Sequence, residues 1–145
     1  MQTRNTHDSK QYNHGITCSF TDNGNVVIVR TQGDMSRNAI NTWASLLILT
    51  MQEWQSKRPF AIINNLSHPQ QGLNPFARQR SQDVIKAIPE DMLVYSAVVL
   101  PRTFMYHIMD MFLRSRIFQK ENLEIQLFNT EAQAIKWLRE QLAKH

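Results

Sequence analysis

The sequence predicts one α/β domain, built on a mainly parallel sheet with one antiparallel edge strand. Runs rich in β-branched residues alternate with longer stretches whose apolar residues recur at helical spacing, the pattern of strand–crossover–strand units. The run "MLVYSAVVL" is nearly continuous in apolar character, as a strand covered on both faces requires. With 145 residues, 42% hydrophobic and 19% charged, the chain can bury one core and lies far from the composition of disordered chains.

Residues 1–15, "MQTRNTHDSKQYNHG", hold no aliphatic residue after Met1 and show no period. They are expected to be a mobile tail carrying His7 and His14, with a single domain over 16–145. "ITCSFT" and "NVVIVRTQG" read as two strands joined by the hairpin signal "DNG". After Ser36, a candidate N-cap, Ile40, Trp43, Ala44, Leu47, Ile48, Met51 and Trp54 recur on one helical face and stop before "SKRP". "FAIINNL" reads as a buried strand, and Asn74 with Pro75 opens a second helix that ends before Pro89. "MLVYSAVVL" is the next strand, and Pro101 and Thr103 start a third helix running to about Phe118. "EIQLF" is the last strand. Thr130 with Gln133 forms a capping box for a final helix with Ala134, Ile135, Leu138 and Leu142 on one face. The expected order is β-β-α-β-α-β-α-β-α.

One cysteine, Cys18, rules out an internal disulfide and reads as a small buried hydrophobe, and the Cys and His residues lack zinc spacing. No apolar run is long enough to span a bilayer and no signal region is evident, so a soluble, cytoplasmic protein is expected. The net charge of +4 favours anionic partners only mildly. Aromatics interleaved with basic residues are not evident, and no nucleic-acid partner is expected. The acids Asp34, Asp83, Glu90, Asp91 and Asp110 are scattered. Ser67 and His68, adjacent on an extended chain, point to opposite faces and do not make a nucleophile and base. No catalytic residue, metal or cofactor is therefore expected.

The order of elements over residues 16–143 resembles the STAS domain, the domain of anti-sigma factor antagonists and sulfate-transporter tails. "FAIINNLSH" is similar to the family's strand-then-"DLS" junction, and "LFNTEAQAIKWL" to its last strand and helix. The resemblance implies a non-enzymatic regulatory or signalling module of bacterial type. It also implies a phosphorylated serine at the start of the second helix, but here that region reads "QQGLNPFARQR" and offers no Ser or Thr. The acid that ends the family's strand is replaced by Asn64 or Asn65.

The candidate site lies in the loop from Asn65 to Pro75, because ligands of open α/β sheets collect beyond the carboxyl ends of strands and at helix starts. Its candidate residues are Asn65, Ser67, His68, Gly72, Asn74, Arg78 and Arg80. Between residues 57 and 86 the bases are Lys57, Arg58, Arg78, Arg80 and Lys86, and Asp83 is the one acid. The third helix is apolar nearly all round. Met105, Ile108, Met109 and Phe112 suit the sheet, while Phe104, Met111 and Phe118 form a second stripe rimmed by Arg114 and Arg116, an interface candidate. His107 reads as a packed histidine. A protein partner docked on the second and third helices is the expected function, with a C2 homodimer as a further expectation and membrane contact at most peripheral. The alternative is an anionic or lipid-like small molecule held at the loop, which an apolar pocket beside it would favour over a flat patch.

Overall fold

The computed structural model describes residues 9–32, 36–54, 57–66, 75–100, 107, 110, 111 and 113–145. Its strands are β1 (Ser9–Tyr12), β2 (Ile16–Thr21), β3 (Val26–Thr31), β4 (Phe60–Leu66), β5 (Val94–Val99) and β6 (Leu123–Phe128). The helices are α1 (Arg37–Glu53), α2 (Pro75–Lys86) and α3 (Glu131–Leu142). The strands form one sheet in chain order, β1-β2-β3-β4-β5-β6. β1, β2 and β3 pair antiparallel, and β3 to β6 pair parallel.

That order decides where the helices lie. Right-handed crossovers between strands that always advance in one direction put successive crossover helices on the same face. α1 and α2 accordingly share one core with Val27, Phe60, Ile62 and Val94. α3 follows an edge strand and folds back across the opposite face, where Ala134 and Leu138 pack on Val26, Ala61, Ile63 and Ala97. Among the described residues between β5 and β6, His107, Asp110, Met111 and Leu113 are helical. Leu113 closes a third cluster with Leu66, Val98 and Leu100.

The ends of the elements obey local chemistry. Asp22, Asn23 and Gly24 all take the left-handed backbone region, at φ of 57°, 59° and 82°, conformations that Asp, Asn and Gly tolerate best. Arg139 of α3 clamps this turn through Asp22, with Nη2 to Oδ1 at 2.7 Å and Nε to Oδ1 at 2.9 Å. Ser36 caps α1, its Oγ accepting from the Ala39 N–H at 3.2 Å. Thr130 caps α3 through the Gln133 N–H, and the Gln133 side chain reaches back to the N–H of Asn129. That is one residue earlier than a capping box reaches. Lys120 serves the other end of a helix. Its Nζ donates to the carbonyls of Ile85 and Ile88 at 3.2 and 2.8 Å, while Asn122 Nδ2 donates to those of Pro89 and Met92. These side chains add donors to the last turn of α2 and to the turn that follows it.

Two expectations need correction. Residues 9–15, read as part of a mobile tail, instead form β1 and a turn in which His14 takes φ of 67°. β1 is a sheet edge with three exposed residues out of four, so pairing with β2 leaves no apolar alternation behind. The sheet therefore has two antiparallel pairings, β1 with β2 and β2 with β3, where one was expected. The helix expected to reach Phe118 stops earlier: helical backbone ends at Leu113, and Arg116–Phe118 is a 3-10 turn. The seven-residue spacing from Met111 to Phe118 then no longer places them on one face. Phe118 is 7% exposed while Met111 is 73% exposed.

The Lys120 cap generates a prediction. Lys120→Met keeps the aliphatic stem and removes the donor, so the Ile88 carbonyl loses its Lys120 partner while the Ile85 carbonyl keeps only the Ile88 N–H. It should lower stability by about 1–2 kcal/mol, read as a shift of the urea midpoint with unchanged slope. An unshifted midpoint would show that the cap contributes nothing.

Candidate functional site

Adjacent residues of a strand point to opposite faces, and the two asparagines at the end of β4 are separated in this way. Asn64 faces α1, where Trp43 Nε1 donates to its Oδ1 at 3.0 Å. Asn65 faces α3, and its Nδ2 donates to Glu131 Oε2. Glu131 also accepts two hydrogen bonds from Arg30, Nε to Oε2 and Nη2 to Oε1, both at 2.8 Å. Paired donors of this kind hold a carboxylate strongly. The Arg30 hydrogen bonds, joined by that from Asn65, outweigh partial burial and hold the Glu131 carboxyl below its ordinary range. This cluster ties β3, β4 and the first turn of α3 together.

On the α1 and α2 side the packing is incomplete. A cavity of about 130 Å³ lies between the sheet and the helices. Ile62, Asn64 and Leu66 of β4 form part of its floor with Ser96 and Val98 of β5, and Ala77, Ser81 and Val84 of α2 face it. Trp43 and Leu47 of α1 close one side, and Leu113 and Phe118 the other. Small side chains create the space: Ala77, Ser81 and Ser96 stand where bulkier residues would meet across the two layers. Ser96 lies in a strand hydrogen-bonded on both sides, yet it is half-buried and not fully covered. Ser81 donates its hydroxyl to the Ala77 carbonyl at 2.8 Å and so offers only lone pairs to the cavity. No Lys, Arg, His, Asp or Glu is among the described lining residues.

The predicted site residues do not converge. Asn65 is on the α3 face, bound to Glu131. Arg80 pairs with Asp83, Nη1 to Oδ2 at 2.8 Å, and Arg78 is half-buried on α2. Neither arginine lines the cavity. Ser67, His68, Gly72 and Asn74 lie outside the described residues, as do Asp34, Phe104, Met105, Ile108, Met109 and Phe112. Of the interface residues, Met111 and Arg114 are exposed, with Arg114 bonded to Asp110 at 3.1 Å, whereas Phe118 forms part of the cavity wall. His107, read as packed, is exposed, and Cys18 is buried as expected.

Sequence reasoning missed the residues that build the cavity because it looked beyond the strand ends. Ligands collect there when strand order reverses and a crevice opens. Here the order never reverses, so the available space lies under the helices. The signal was present in the polar interruptions Asn64 and Ser96, each inside an apolar strand and each facing α1 and α2. Among the described residues no group of three or more His, Cys, Asp or Glu could hold a metal. No described helix is long and apolar enough to cross a membrane. Comparison with protein-family models, curated proteins and solved structures gives no match.

The Glu131 cluster predicts a pH dependence. A carboxyl depressed in the folded state adds stability above its unfolded pKa, about 4.3 for Glu, and loses it as pH falls through the folded value. Stability should therefore drop below about pH 4.3, and Glu131→Gln should flatten that part of the profile while lowering stability at neutral pH. Denaturant midpoints measured between acid and neutral pH check this. Parallel profiles for the two proteins would contradict it.

Proposed function

We propose that the protein is a non-enzymatic binding module of STAS-like type whose ligand is a small apolar, lipid-like molecule held in the cavity between α2 and the sheet. The observation that carries this reading is the cavity itself, with Ser96 open to it in the middle of a parallel sheet. Its size is close to that of an engineered apolar cavity of ~150 Å³ that admits benzene. A single ring or a short acyl segment fits such a space, and a drug-sized molecule does not. The lipid-like half of the small-molecule reading is supported over the anionic half, because no cationic side chain is among the described lining residues. A non-enzymatic role is supported by the ion pairs of Asp22, Asp83, Asp110 and Glu131 with arginines, which leave these acids poorly placed for proton transfer.

Docking of a protein partner is the second reading, favoured by Met111 at 73% exposure beside the exposed Arg114. A homodimer through the same segment belongs with it. The two readings combine if the ligand sets how α2 and its neighbour present themselves to a partner in the cytoplasm.

Filling the cavity separates them. Ser96→Leu should place an apolar side chain in existing space, raising the melting temperature by about 2–4 °C for ~1 kcal/mol gained. It should also abolish recovery of a small apolar compound from natively purified protein, assayed by organic extraction and mass spectrometry. A variant that melts lower and leaves the extracted compounds unchanged would refute the ligand reading.

A further inference from the structure

The Trp43–Asn64 pair indicates which chemical group the cavity takes. An indole N–H only donates, so the Asn64 atom 3.0 Å from Trp43 Nε1 is the oxygen, and this pairing fixes the orientation of the amide. The two N–H donors of Asn64 then have to find acceptors elsewhere. Among the described residues Asn64 Nδ2 has none, although Asn64 is only 7% exposed and lines the cavity. Nδ2 is not among the fully buried polar atoms left without a partner, so it keeps open surface, and an acceptor on a ligand in the cavity can reach it.

We infer that the ligand carries a neutral carbonyl oxygen, as in a small ketone, ester or amide, which accepts from the Asn64 side-chain amide while its apolar body fills the space under α2. This rests on reading the cavity as a ligand site. The acceptor is uncharged because a carboxylate would be buried with no cation among the described lining residues, and an unpaired buried charge is far more costly than a buried carbonyl. On the neighbouring strand Val98 is the register partner of Asn64, and Ser96 lies one pleat away beside Ile62. The Ser96 hydroxyl can both donate and accept, which suits an ester or amide whose second heteroatom lies deeper in the cavity. A cavity of about 130 Å³ keeps the body compact, one ring or a short chain.

The test uses acetophenone and ethylbenzene, which differ by a carbonyl in place of a methylene, with benzoate as the charged analogue. Binding to wild type and to Asn64→Leu is measured by ligand-observed NMR. The ratio of acetophenone to ethylbenzene affinity should fall about tenfold in the variant, as expected when a hydrogen bond largely shielded from water is lost. Benzoate should bind wild type much more weakly than acetophenone. An unchanged ratio with ethylbenzene still bound would overturn the inference and leave the apolar site standing. Binding of neither aromatic to wild type would overturn both. Benzoate bound as tightly as acetophenone would overturn the neutral-acceptor assignment. If Asn64→Leu does not fold, the Asn64 side-chain amide protons of wild type give the same answer: acetophenone should shift one of them downfield and ethylbenzene should not, and equal effects would overturn the inference.

Discussion

Side-chain alternation along β4 is the constraint on which the rest of this structure depends. β4 is hydrogen-bonded to β3 on one side and β5 on the other, so its register is set by two neighbours and its faces cannot exchange. Phe60, Ile62, Asn64 and Leu66 are thereby committed to the α1 and α2 layer, and Ala61, Ile63 and Asn65 to the α3 layer. One pair of adjacent, chemically identical residues performs two tasks. Asn65 helps Arg30 to hold and orient the Glu131 carboxylate at the start of α3, and Asn64 is fixed by Trp43 at the edge of an incompletely filled core.

The two faces are packed differently for a reason visible in their residues. Under α3, Tyr95 stacks edge-on with Trp137 at 6.0 Å, and Phe128 lies 5.5 Å from the same indole. Large rings fill that layer. Burial also pushes the Tyr95 phenol up, with Glu124 adding to the effect. Under α2 the layer includes the small side chains Ala77, Ser81 and Ser96, and only Ala77 and Val84 of that helix are buried. A helix held by few buried side chains is fastened instead at its end, by Lys120 and Asn122 on the carbonyls from Ile85 to Met92. A fixed end and a loosely filled middle allow a helix to adjust to an occupant without losing its place. A fully interdigitated layer would resist such adjustment.

Much of the fold was legible in the sequence because burial leaves periodic traces. The hairpin at Asp22–Gly24, the Ser36 and Thr130 caps, Pro75 at the start of α2 and the apolar runs of β4 and β5 all appear where their patterns put them. β1 escaped because in the edge strand "SKQY" only Tyr12 packs on the core, too little to leave an apolar alternation. The end of the helix before Phe118 escaped because the apolar residues continue at roughly helical intervals after the backbone has left the helix. The site was less legible than the fold. Arg78 and Arg80 drew attention as charges near a helix start, yet Arg80 is spent on Asp83 and neither side chain reaches the cavity. A void has no sequence signature beyond small or polar residues on a buried face. Asn64, Ser81 and Ser96 carry it here: the sheet register puts Asn64 and Ser96 on one face, and the packing of α2 brings Ser81 to the same space.

Ligand binding by this protein requires an accessible apolar space between α2 and the sheet. Crystals pressurised with xenon test it without any assumption about the natural ligand, since xenon enters dry apolar cavities of this size. One xenon atom is expected between Ser96 of β5 and Val84 of α2, within contact of Ile62 and Phe118. Diffraction showing no xenon there, with protein side chains filling the space, would contradict it.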